Sequence, residues 1–301
     1  MKVIVTGGAG QLGQALRRSV PLLIARDPVE LIVTSRSGGE GALALDLADA
    51  AACRDLVEEH RPDWVINAGA YTAVDKAESE PELAEAVNAG APAAFAEGLL
   101  ATGGRLLQLS TDFVFNGSQG SPYRPHQGVD PLGVYGATKA AGETAAAAAL
   151  PAERLCILRT SWVYGPVGKN FLLTMLRLMG ERKQLGVVAD QVGCPTATAG
   201  LASACWAVLE QSVSGMHHWS DAGAASWYDF AVAIAELGHD AGLLANPSQI
   251  NPITTADFPT PAQRPSFSLL DCTATRTALQ LPPVHWRTAL QNVLNQLSKD
   301  R

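Results

Sequence analysis

The residues whose types and spacing suit chemistry begin with Tyr135 and Lys139, in the stretch Tyr135-Gly-Ala-Thr-Lys139. They stand at the front of an alanine-rich segment, Ala137 to Ala149, that has no proline and carries a glutamate at 143, a composition that favours a helix. Residues four apart on a helix lie on one face, so phenol and ammonium point the same way. An ammonium beside a phenol stabilises the phenolate and draws the tyrosine pKa down from about 10. A phenol tuned toward neutrality can give a proton to a carbonyl oxygen as it becomes an alcohol. A bare pair at this spacing is more often a surface tyrosine and a solvated lysine. What lies elsewhere in the chain turns the balance.

Near the N-terminus, Lys2–Thr6 is a short β-branched run ended by glycines, and Gly7, Gly10 and Gly13 then open a helical pattern with Leu12, Ala15 and Leu16 on one face. Strand, glycine turn and helix together make a phosphate cradle, in which backbone N–H groups approach a pyrophosphate and the helix N-terminus favours its charge. Gly7, Gly10, Gln11, Leu12 and Gly13 are therefore expected at a dinucleotide. The next strand, Leu31–Thr34, ends in Ser35-Arg36, where such folds meet the adenosine ribose. Asp46 and Leu47 are expected near the adenine. The third strand, Asp63–Asn67, runs into the small residues Ala68-Gly69-Ala70, which suit close approach of a cofactor. Arg105–Leu109 is a fourth strand with Ser110-Thr111-Asp112 at its end. Thr111 or Ser110 can hydrogen-bond a substrate oxygen, Tyr135 can supply the proton, and Lys139 can also hold ribose hydroxyls of a nicotinamide nucleotide, which carries the hydride.

The elements that must position these groups alternate. Ala50–His60 and Pro81–Thr102 read as helices between the strands, and Arg154–Thr160 as a further strand. Repeated strand–turn–helix units with short connections predict an α/β, Rossmann-like, doubly wound parallel sheet, with ligands at the carboxyl ends of its strands. After Pro166 the alternation becomes irregular. Helices are expected at Asn170–Gly180, Leu201–Gln211, Ser226–His239 and Thr288–Leu297, short strands at Gln184–Val188 and Met216–Ser220, and loop through the proline-rich Asn246–Ser268. The division expected is a dinucleotide-binding domain over residues 1–165 and a smaller C-terminal α/β substrate lobe over 166–301, with a segment near 197–215 packing back on the first.

At 301 residues, 47% hydrophobic and 17% charged, the chain has ample material for such a core. A net charge of −7 argues against a general nucleic-acid or anionic-membrane binder. The N-terminus does not read as a signal peptide, and no apolar run approaches the ~18 residues of a membrane span. Five scattered cysteines with no CxxC pair read as reduced thiols of a cytoplasmic protein. His217 and His218 do not make a metal pair, because neighbours on a strand face opposite sides.

The set resembles the extended, nucleotide-sugar-modifying branch of the short-chain dehydrogenase/reductase superfamily, and within it the dTDP-4-dehydrorhamnose reductase family. The matching stretches are Thr6 to Gly13, Asn67 to Glu78, Ser110 to Gly117, Tyr135 to Glu143, Arg159-Thr-Ser-Trp-Val-Tyr-Gly165 and Asp190-Gln-Val-Gly-Cys-Pro-Thr196. They run through about two thirds of the chain in the family's order, and the last two separate the reductases from epimerase and dehydratase relatives. The resemblance implies reduction of the 4-keto group of dTDP-4-dehydro-L-rhamnose by NADPH, or by NADH, with Thr111, Tyr135 and Lys139 on the catalytic positions. It also implies a dTDP-sugar as partner, for which Ser110, Asp112, Phe113, Trp162, Asn170 and Arg264 are candidates, with Arg264 toward the pyrophosphate; for Trp162 a core tryptophan is the commoner case, and Asp112 also reads as a supporting group or a turn residue. For Asn170 a helix cap is an equal reading, and for Arg264 a solvated loop arginine. The family usually has Tyr at Phe113 and Asp at Asn116. Some members use magnesium, but the chain has no acidic cluster to carry it. Monomer and homodimer stay open, as do two other classes: a nucleotide-sugar epimerase or dehydratase, and a non-catalytic regulatory relative. The acid-free end of the second strand, with Arg36 among hydroxyls, points to NADPH as the preferred cofactor.

Overall fold

In a computed structural model of the chain, residues 1–24, 27–39 and 41–300 are described. The centre is a seven-stranded sheet. Its strands are β1 (Lys2–Val5), β2 (Glu30–Ser35), β3 (Leu43–Ala44), β4 (Trp64–Asn67), β5 (Arg105–Thr111), β6 (Leu155–Thr160) and β7 (Gly215–Trp219). The spatial order is β7-β6-β5-β4-β1-β2-β3, and every pairing is parallel. The order reverses beside β1, and at such a point the carboxyl ends of the strands open a crevice for a ligand. Successive residues of β1 show why these runs are apolar throughout. Val3 and Val5 enter the core on one face and Ile4 the core on the other, as the period of two along a strand requires.

The crossover helices are α1 (Gln11–Arg18), α2 (Ala50–His60), the short α3 (Val74–Ala77) and α4 (Pro81–Glu85), α5 (Ala91–Thr102) and α6 (Val134–Ala149). The segment 81–102, read from its pattern as one helix, is broken by a π-helical turn over Ala86–Gly90. Pro92 has no N–H for the Asn88 carbonyl four residues before it, and the Asn88 side chain accepts from the Tyr71 backbone N–H at 2.9 Å and donates to the Tyr71 carbonyl and to Thr138. The widened turn presses so closely on α6 that a Cβ at Gly142 would lie 2.0 Å from the Asn88 carbonyl oxygen.

The second half of the chain builds α7 (Phe171–Glu181), α8 (Thr198–Glu210), α9 (Trp227–Asp240), α10 (Thr273–Leu279) and α11 (Trp286–Lys299). A separate core joins α7, α9 and α11 through Leu172, Phe230, Ile234 and Leu290. In contrast, α8 lays Leu201, Cys205 and Trp206 into the core that holds Val3, Val5 and Leu16. The strand expected at Met216–Ser220 in the smaller lobe is Gly215–Trp219, the edge strand of the large sheet, in parallel register with β6. Two further differences have local causes. Gln249–Ile253 lies in a segment rich in proline and polar residues, yet it pairs in parallel with Gln184–Val188. Its Pro252 is tolerated because this sheet has only two strands, both of them edges. Helix α10 was not anticipated, since its threonines and alanines carry little apolar periodicity.

Candidate active site

Five strand ends and one helix supply the site. After β1 the chain turns at Gly7, with φ +67°, and approaches Gly69 after β4 so closely that a Cβ on Gly7 would sit 2.7 Å from the Gly69 Cα. A Cβ on Gly13 would meet the Gly7 carbonyl oxygen at 2.2 Å. Gly10 precedes α1 with no side-chain cap, so the first N–H groups of the helix have no side-chain acceptor at that position. Glycine is needed here to bring backbone to backbone, and the cradle fits a pyrophosphate. Leu12 packs its side chain into the core, whereas Gln11 lines the cleft. Ala68, Gly69 and Ala70 are half-buried after β4, with the Leu47 side chain against Gly69.

At the end of β2 the Ser35 hydroxyl donates to the Gly38 carbonyl at 3.3 Å and closes its own turn. Arg36 projects outward and pairs with Asp46, Nε–Oδ1 3.8 Å, both side chains more than half exposed. The two residues expected at opposite ends of an adenosine thus face each other.

Tyr135 stands on the first turn of α6, beside the end of β5. Its phenol lies beside the Thr111 hydroxyl, which donates to Asp112 Oδ1 at 3.1 Å, and its ring meets Phe113 edge to face at 5.6 Å. Burial pushes the phenol up to about 12, with the Thr111 hydroxyl opposing the rise and the Asp112 carboxylate adding to it. This corrects the expectation that Lys139 draws the phenol toward neutrality. The lysine ammonium donates to the Leu109 carbonyl at 2.6 Å, and burial lowers its own pKa to about 8, with Glu143 opposing the fall. Burial disfavours both charged forms, and neither group is among the causes of the other's shift. A phenol at about 12 holds its proton through neutral pH, the form a proton donor needs. Asp112, at 1% exposure, is pushed up to about 6 by burial, against the bond that the Thr111 hydroxyl gives its Oδ1, while its Oδ2 has no hydrogen-bond partner among the described residues.

The opposite wall comes from the second core. Trp162 adopts a left-handed backbone, φ +46°, and its ring stacks on Trp227 at 3.6 Å and 7°. Strain of this kind persists where the surroundings over-determine it; here Gly193 leaves room for the indole, since a Cβ there would lie 2.8 Å from it. Between this wall and the strand ends lies a cleft of about 830 Å³, lined among others by Gln11, Thr111, Asp112, Phe113, Tyr135 and Trp162.

Some predicted residues are engaged elsewhere. Ser110 gives its hydroxyl to Glu143 at 2.5 Å rather than leaving it free for a substrate oxygen. Asn170 is a helix cap: its Oδ1 accepts from the Leu173 N–H at 2.9 Å, and its Nδ2 donates to Gln11 at 2.7 Å, joining the two halves of the chain. Arg264 lines the cleft but is not a solvated arginine. It forks onto Asp75, Nη1–Oδ1 2.5 Å and Nη2–Oδ2 2.8 Å, and so holds the Asp75 carboxyl below its usual range. Sequence reasoning missed Asp75, Trp227, Glu143 and Arg159. Only Glu143 left a signal, standing four residues beyond Lys139 as Lys139 stands four beyond Tyr135.

A parallel doubly wound sheet with this constellation over its carboxyl edge is the build of a Rossmann-type NAD(P)-dependent oxidoreductase. Comparison with known proteins narrows the class. Residues 1–299 match the RmlD substrate binding domain family. A dTDP-4-dehydrorhamnose reductase of Streptomyces griseus is 42% identical over 292 residues, covering 95% of this chain and 91% of that one. Among solved structures, a dTDP-4-dehydrorhamnose reductase of Clostridium acetobutylicum superposes with a TM-score of 0.89 at 34% identity, covering 99% of both chains. That of Bacillus anthracis, in complex with NADP, superposes at 0.88 with 31% identity, covering 98% of this chain and 99% of that one. The chain belongs to the dTDP-4-dehydrorhamnose reductase family.

Proposed function

We propose that the protein reduces the 4-keto group of dTDP-4-dehydro-L-rhamnose to give dTDP-L-rhamnose, with NADPH as the preferred cofactor. The observation that carries this reading is the meeting of Thr111 and Tyr135 at the end of β5, both lining a cleft large enough for a sugar nucleotide. The glycine turn and the uncapped start of α1 fit the cofactor pyrophosphate. When bound, the nicotinamide supplies the hydride. Tyr135 gives its proton to the sugar oxygen, and Thr111 orients both by its hydroxyl. Lys139, with one N–H on the Leu109 carbonyl, keeps further donors of its ammonium for the cofactor ribose. Stacked Trp162 and Trp227 form an apolar wall for the sugar nucleotide, and Arg264, which lines the cleft beside Asp75, would meet its diphosphate.

The test is consumption of NADPH with dTDP-4-dehydro-L-rhamnose against a panel of other 4-keto sugar nucleotides. Turnover should be highest with the rhamnose precursor. Tyr135→Phe should lower it by roughly 10²–10⁴, as loss of a general acid does, while leaving cofactor affinity nearly unchanged. Equal turnover across the panel would reject the substrate, and near-normal turnover in the variant would reject the donor.

A further inference from the structure

Glu143 and Arg159 form a buried ion pair to which the proposed chemistry gives no part. Glu143, on α6 two turns beyond Tyr135, accepts from Arg159 of β6 through both carboxylate oxygens, Nε–Oε1 2.8 Å and Nη2–Oε2 2.6 Å. The side chains are 6% and 3% exposed. Arg159 is further held by the Pro125 carbonyl and lies over the Phe115 ring. Desolvation offsets much of the attraction in such a pair, so stability alone is a weak reason for it.

The pair's neighbours supply a better reason. Three consecutive residues of β5 meet three residues on one face of α6. The Leu109 carbonyl takes the Lys139 ammonium, the Ser110 hydroxyl reaches Glu143, and the Thr111 hydroxyl lies beside the Tyr135 phenol. Residues 135, 139 and 143 repeat every four positions, so they form one stripe along the helix. We infer that Glu143, clamped by Arg159, is a positioning residue: it locks the register of α6 against β5 and places a negative charge beside Lys139 that keeps the ammonium protonated.

The inference rests on the reading of Lys139 as a cofactor-holding residue. Of the charged and titratable groups on the packed elements, Tyr135 and Glu143 on α6, Asp112 after β5 and Arg159 on β6, Glu143 is the one that acts on the Lys139 charge. Burial pulls Lys139 down, Glu143 opposes the fall, and the balance stands at about 8. Removing the carboxylate also leaves the Arg159 guanidinium unpaired, which pushes in the same direction as burial.

NADPH affinity of the full chain, followed by protein fluorescence between pH 6 and 9 with no sugar present, tests this. In the wild type, affinity should weaken as pH rises through about 8. In Glu143→Gln the weakening should set in about one unit lower, making Kd roughly fivefold to tenfold higher at pH 8 while the two proteins agree within about twofold at pH 6. Glu143→Asp, which keeps the charge, should restore most of the wild-type profile. The double variant Glu143→Met/Arg159→Met removes both charges of the pair and leaves no unpaired guanidinium, so it should fold and melt near the wild type and still keep the displaced midpoint. An unmoved midpoint in Glu143→Gln, or a double variant whose midpoint returns to that of the wild type, overturns the inference. The measurement contains no sugar, so a wild type that binds NADPH but reduces none of the 4-keto sugars would reject the proposed activity and leave this result standing.

Discussion

Side-chain partners decide how each residue can serve. Arg36 combines a position suited to a 2′-phosphate with a carboxylate, Asp46, already beside it. An exposed ion pair of this kind contributes only ~0–1 kcal/mol, so a phosphate dianion can take the guanidinium from it, but the carboxylate competes and repels. Asp46→Asn should therefore raise the ratio of kcat/KM for NADPH over NADH, by about threefold to tenfold. Arg36→Ala should lower the same ratio, by a similar factor. If neither substitution moves the ratio, the end of β2 is not where the cofactors are told apart. Phe113, where the family usually has tyrosine, still packs its ring edge on Tyr135, so the missing hydroxyl leaves the packing of the proposed donor in place.

At the scale of elements, the helix that bears Tyr135 and Lys139 has no cap of its own. Gly133 occupies the N-cap with no side-chain bond. The role is filled from a distant segment: Glu78, next to α3, accepts from the Val134 N–H at 2.8 Å. A carboxylate at this end also complements the helix dipole. A Cβ at Gly133 would lie 2.6 Å from the Glu78 carboxylate, so the glycine admits the cap. Loss of a capping group costs about 1 kcal/mol. Glu78→Ala should lower urea stability by that amount and lower turnover several-fold, because Tyr135 stands on the frayed turn; Glu78→Gln should recover most of both. Unchanged stability and turnover in Glu78→Ala would show that the cap contributes nothing.

Across the whole molecule, the two halves of the chain meet through polar contacts around the cleft: Asn170 to Gln11, and Arg264 to Asp75. A buried carboxylate, Asp221, lies where β7, α8 and α10 join. It accepts from the Ala197 N–H at 3.0 Å, while Arg276 donates to its backbone carbonyl at 3.3 Å. Burial raises it to about 7, with the Ala197 bond and Arg276 opposing. The folded pKa is above the unfolded value of about 3.9, so folding takes up a proton. The stability from that uptake is complete below pH ~4 and is lost as pH rises through about 7. Asp221→Asn keeps an acceptor for Ala197 and removes the ionisation. Its urea stability should match the wild type near pH 4 and exceed it at pH 8, by a difference on the order of 4 kcal/mol. A variant less stable than the wild type at pH 8 would mean that the ionised carboxylate is a net stabilising group.

The glycine turn, the alternation of strands and helices, and the shared face of Tyr135 and Lys139 were legible in the sequence because each is a local matter. A strand buried on both faces is a continuous apolar run, a helix repeats every 3.6 residues, and a backbone that must approach another backbone needs glycine. Pairings between distant segments were not legible, because nothing in a local pattern names the partner. Arg264 finds Asp75, 189 positions away, and Asn170 finds Gln11, 159 positions away. Gln249–Ile253 becomes a strand only because Gln184–Val188 offers it an edge, and Gly215–Trp219 joins the large sheet only because β6 does. The same holds for the proposed chemistry. Spacing set Lys139 on the tyrosine's face of the helix, but the depth of burial and the carbonyl of Leu109 decided what its charge does there, and those come from the strands packed against α6.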